Sequence, residues 1–163
     1  MLVFESTEQL LAEPGARRYL HTILLTALRD NATRVEVRFG EEAGMLYYRV
    51  EGRDWELAPP PDDVYPLLKQ TVREVSRLVQ PERPEVTVMA APPGARYEAL
   101  EIGWLTYQLG AYWMDVAVRI DPREPFGYIQ FDMDTPEEFA DTAGEVLSGL
   151  AEAYADAPDE PSP

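Results

Sequence analysis

His21 is the one histidine in 163 residues, and cysteine is absent. A metal site of imidazole or thiolate needs several such ligands, and a histidine-activated cysteine nucleophile needs the cysteine. No serine stands in the glycine-flanked pattern of a nucleophile elbow. Lys69 is the single lysine, and neither Gly-Lys-Ser nor Gly-Lys-Thr occurs, so the phosphate-binding loop of an NTPase is missing. Asp132 and Asp134 fall near Glu137 and Glu138, and hard cations such as Ca²⁺ and Mg²⁺ use clustered carboxylates. The calcium-loop spacing, with its central Gly and terminal Glu, is not there. These acids read as the charged start of a helix, and His21 as a partly exposed structural residue. The expectation is no catalytic residue, no metal, no cofactor and no enzymatic activity.

Aromatic surface and negative charge are what the chain does carry. Tyr47, Tyr48, Trp55, Trp104, Tyr107, Tyr112 and Trp113 are dense for this length. Successive strand residues face opposite sides, so one member of each adjacent pair, Tyr47/Tyr48 and Tyr112/Trp113, points away from its neighbour's face. The aromatic set reads either as sheet packing or as a dimer or partner interface. The candidate partner-binding residues are Tyr47, Trp55, Trp104, Tyr112 and Trp113, with the acids Glu137, Glu138 and Asp141. Net charge is -16, and residues 132–163 hold ten acids and no base. The other 131 residues hold 20 acids and 14 bases, a net of -6. Nucleic acid and anionic membrane are excluded as partners, because both demand Lys and Arg. A basic protein surface would be attracted; solubility alone is the simpler reading of the charge.

The elements that must position these residues follow from periodicity. Leu20, Ile23, Leu24, Ala27 and Leu28 form one apolar stripe and predict a helix over 16–29, closed by Asp30-Asn31. A helical turn over 7–11 precedes it, broken at Pro14-Gly15. Val35, Val37 and Phe39 alternate with charges, residues 45–50 return, Glu51-Gly52 turns, and 53–57 makes a third strand. Pro59-Pro60-Pro61 fixes an extended link, and Asp62 or Asp63 caps a helix running to 79. Its expected buried face is Val64, Leu67, Leu68, Val72, Val75 and Leu78. A short strand at 86–90, a Pro92-Pro93-Gly94 turn, and long strands at 96–105 and 107–120 come next. Gly103 and Gly110 mark bulges or bends. Residues 126–133 read as an edge strand. Thr135 caps the last helix with Pro136 at its first position and Glu138 completing a capping box. Its apolar stripe is Phe139, Ala143, Val146, Leu147, Leu150 and Tyr154. One α+β domain over 1–155 is expected: a mainly antiparallel sheet of five to six strands with helices packed on it. An acidic tail over 156–163 is expected to be disordered. No apolar run reaches the roughly 18 residues of a membrane span, and residues 1–11 lack a basic signal-peptide region, so the expected location is the cytoplasm.

The run Leu46-Tyr47-Tyr48-Arg49-Val50-Glu51-Gly52, after Ala32-Thr33-Arg34-Val35-Glu36, carries a resemblance. It resembles the N-terminal domain of the type II secretion and type IV pilus assembly ATPase family. There a helix leads into an Ala-Ser-Asp-Ile-His strand, an Arg-Tyr-Arg-Val-Asp-Gly hairpin, a proline-bearing link and a helix. Ala32, Tyr48, Arg49, Val50 and Gly52 match, while Arg34 and Glu36 replace the family's Asp and His. The likeness covers residues 16–120 and is specific over 45–61. It implies a PAS-like fold. The family's arginines here face nucleotide held by an ATPase core; only Arg49 carries over, and this chain has no core. The expected partner of Arg49 is then a meander carboxylate such as Glu36 or Glu56. The leading function is a non-enzymatic protein-interaction module, an orphan relative of that domain, docking by a sheet edge or the aromatic face or pairing as a homodimer. Two rival readings are an acidic secretion chaperone that binds an extended effector segment, and a small-ligand-sensing PAS-like domain.

Overall fold

The computed structural model describes residues 1–79 and 100–156. Strands are β1 (Leu2–Phe4), β2 (Arg34–Arg38), β3 (Met45–Val50), β4 (Arg53–Leu57), β5 (Arg77–Val79), β6 (Glu101–Leu109), β7 (Tyr112–Asp121) and β8 (Tyr128–Asp132). Helices are α1 (Thr7–Ala12), α2 (Gly15–Arg29), α3 (Leu68–Val75) and α4 (Glu137–Asp156), with a 3₁₀ turn at Tyr65–Leu67. The strand expected at 86–90, the Pro92-Pro93-Gly94 turn and the tail beyond α4 lie outside the described residues.

The architecture is α+β, with one eight-stranded sheet ordered β1-β6-β7-β8-β2-β3-β4 and β5 also pairing with β6. Among the described strands only β1–β6 is parallel. Two meanders, β2–β3–β4 and β6–β7–β8, are welded by the β8–β2 ladder. The expected edge strand over 126–133 is therefore interior. It pairs with β7 on one side and β2 on the other, because Ile129 and Phe131 are fully buried in the core that both neighbours line.

Local chemistry explains the turns. Asn31 exits α2 at φ 56°, the left-handed conformation that Asn tolerates. Glu51 and Gly52 have φ 52° and 76°, the paired positive values of a two-residue hairpin turn. The helix expected to reach 79 stops at Val75, and residues 77–79 pair with β6 instead. Gly103 allows this, since a Cβ there would lie 2.1 Å from the Arg77 carbonyl oxygen. Leu67, expected inside, is 55% exposed because the chain is still in the 3₁₀ turn there. Gly110 turns the β6–β7 hairpin at φ 58°. The capping box at Thr135 does not form. The Pro136 carbonyl accepts from the Phe139 and Ala140 amides, so α4 begins at Glu137, and the buried Thr135 hydroxyl has no hydrogen-bond partner.

Strand parity settles which face is covered. Val35, Val37, Leu46, Leu105, Tyr107, Leu109, Met114, Val116, Val118, Ile120, Ile129 and Phe131 share one face and join α2, α3 and α4 side chains in a single core. The opposite face has no helix over it among the described residues. No described helix is long and apolar enough to cross a membrane.

Candidate interaction surface

The uncovered face can be read row by row from the pairing register. One row runs Trp104, Ala117, Asp132, Arg34, Arg49, Asp54; the next runs Ile102, Arg119, Gln130, Glu36, Tyr47, Glu56. Thr106 faces Asp115 and Gln108 faces Trp113 beyond them. The β5–β6–β7 half is apolar and aromatic: Val79 is 57%, Ile102 41%, Trp104 52% and Trp113 65% exposed. Trp104 stands between two surface hollows of about 300 and 330 Å³. The β8–β2–β3–β4 half is ionic. Arg34 Nε donates to Asp132 at 2.8 Å, Arg38 Nε to Glu36 at 2.6 Å, and Arg49 Nε to Asp54 at 2.9 Å. Gln130 adds a bond to Asp132 at 2.7 Å. Arg38 also lies over the Tyr47 ring, 4.5 Å from its centroid. Arg49 thus has a cross-strand carboxylate, but it is Asp54, directly opposite in register, not Glu36 or Glu56. Their hydrogen bond holds the Asp54 carboxyl below, and the Arg49 guanidinium above, its ordinary range.

The expected partner-binding set does not form one surface. Tyr47, Trp104 and Trp113 share the uncovered face. Trp55 lies on the helix side of β4, opposite Tyr48 and 53% exposed. Tyr112 also faces the helix side, edge-on to Phe139 of α4 at 6.2 Å. Glu137, Glu138 and Asp141 are exposed on α4, behind the sheet. The sequence reading missed the arginine–carboxylate mosaic, although the alternation Arg34, Glu36, Arg38 places all three on one face.

The single histidine and lysine are structural. His21 is fully buried, not partly exposed, because α2 packs against both the sheet and α4. Its Nδ1 and the Tyr107 hydroxyl share a 2.7 Å hydrogen bond. Burial pushes His21 down to about 4 and the Tyr107 phenol well above its usual range. Lys69 is 4% exposed. Its ammonium donates to the carbonyls of Arg123 and Phe126 at 2.9 and 2.8 Å and reaches Glu124 at 3.4 Å. Through these carbonyls it staples α3 to the loop before β8.

No family model matches this chain, and no curated protein matches it either. The residues of the face speak for themselves. Aromatic and arginine side chains on an open sheet can bind.

Proposed function

We propose that the chain is a non-enzymatic protein-interaction module that docks a folded partner on its uncovered sheet face. The composition of that face carries the reading. Trp104 and Trp113 stand more than half exposed on one half of it, Arg77 and Arg119 lie on the same half, and Tyr47 with Arg34, Arg38 and Arg49 lies on the other. Trp, Tyr and Arg are the residue types that supply most of the binding energy at protein interfaces. Kinship with the secretion ATPase N-terminal domain belongs to the same proposal, as does a cytoplasmic location. The order helix, meander, proline link, helix supports the kinship. The acids of α4 steer a basic partner toward the molecule without touching the docking face.

The test is a bait comparison of wild type, Trp55→Ser and Trp104→Ser/Trp113→Ser. The partner should be retained by the first two and lost, with affinity reduced at least about tenfold, by the double variant. Equal retention by all three overturns the reading. If wild type self-associates in sedimentation and the double variant does not, the partner is a second copy.

One feature favours the chaperone reading, in which the client is an extended segment: among the described residues no strand pairs with the outer edge of β4. Limited proteolysis of a captured partner separates the two. A folded partner survives apart from its loops, whereas an extended client is cut everywhere except where it is held.

A further inference from the structure

The hairpin turn at Glu51-Gly52 decides which backbone groups of β4 are free. In a two-residue hairpin the flanking pair, here Val50 and Arg53, exchanges both ladder hydrogen bonds. Alternation then turns the N–H and C=O of Arg53, Trp55 and Leu57 toward β3, and those of Asp54 and Glu56 outward. β4 is the last strand of the sheet, and residues 53–56 are exposed. Among the described residues, no further backbone hydrogen bond reaches Asp54 or Glu56. Their side chains stand on the uncovered face, while Trp55 between them stands on the other side.

We propose that this edge accepts one extended partner segment in antiparallel pairing. The segment carries Lys or Arg at two positions, i and i+2, opposite Glu56 and Asp54, with an apolar residue between them against Trp55. Outward backbone groups supply the main-chain bonds, and the alternating side chains supply the selection. Asp54 already holds Arg49 at 2.9 Å, but among the described residues no ion pair reaches Glu56. A second copy pairing through its own β4 is excluded by the same pattern. An outward-facing residue pairs with an outward-facing residue, and β4 offers only Asp54 and Glu56. Every antiparallel register of β4 on itself therefore sets acid against acid on one face, which destabilises the pair. Short, charged edges block self-pairing; here the blocking charges also choose the partner. The inference rests on the docking reading only in requiring a protein partner, and it uses a different surface from the tryptophans.

The experiment is an NMR titration of the full chain with a capped hexapeptide alternating lysine and valine. Controls are a peptide of the same composition with its lysines in one block, and an alternating glutamate–valine peptide. The alternating basic peptide should bind at least about tenfold tighter than either control. It should slow solvent exchange at the Asp54 and Glu56 amides, with Arg53 and Trp55 unchanged. Glu56→Lys, which leaves the Arg49–Asp54 pair intact, should weaken it by about tenfold, and Asp54→Lys/Glu56→Lys should prefer the acidic peptide. Equal binding of block and alternating peptides, protection at other amides, or concentration-dependent protection without peptide each overturns the proposal. A failed titration beside a Trp104-dependent partner sinks only the edge, and the converse sinks only the face.

Discussion

Burial governs the chemistry of the two residues that first drew attention as reactive groups. His21 sits at about 4 because burial disfavours the imidazolium, a larger effect than the opposing pull of Glu13. The unfolded chain takes up this proton near pH 6.5 and the folded chain near 4. Stability is therefore complete above pH 6.5 and falls as the pH drops toward 4, by about 1.4 kcal/mol per unit. With one histidine, the imidazole resonance reads this directly; a midpoint near 4 is expected, and one near 6.5 contradicts the buried pair with Tyr107. Lys69 is the second case. Lys69→Met keeps the stem and removes the ammonium, leaving the carbonyls of Arg123 and Phe126 without their donor. Urea denaturation should show a loss of about 1–3 kcal/mol. No change would mean that water replaces the ammonium at no cost.

Among the elements, β5 depends on an absent side chain. Gly103→Ala places a Cβ against the Arg77 carbonyl, so β5 should lift from β6. Amides of residues 77–79 are expected to exchange faster, with about 1–3 kcal/mol of stability lost; unchanged exchange would show that the backbone yields instead. The same region shows where the sequence stops being readable. α2 and the β2–β3–β4 meander were legible because their signals are local: a 3.6-residue stripe, a period of two, and Glu51-Gly52. β1 and β5 were not. Each has three residues, too few for periodicity, and each is a strand only because β6 is beside it. The β8–β2 ladder joins residues almost a hundred positions apart, and nothing near Tyr128 announces Arg38 as its neighbour. The candidate surface was half legible for the same reason. The aromatics were visible by type, but their division between two faces depended on the true strand limits and on where α4 packs.

At the scale of the whole molecule, most of the charge is separated from the proposed docking surface. Five arginines, Arg34, Arg38, Arg49, Arg77 and Arg119, meet six acids, Glu36, Asp54, Glu56, Asp115, Asp121 and Asp132, on the uncovered face, so it is close to neutral. Almost all of the net charge of -16 therefore resides elsewhere. On the proposed docking reading, a nearly balanced face would discriminate among partners by the position of each charge, while the acidic remainder would favour solubility. The distribution of indole rings has an optical corollary. Trp55, Trp104 and Trp113 are all more than half open to water before any unfolding occurs. Denaturation should barely move the emission maximum, so fluorescence is a poor thermometer for this chain. Covering the sheet should instead shift the emission to the blue, and a Trp55→Phe version would confine that signal to the two rings on the open side.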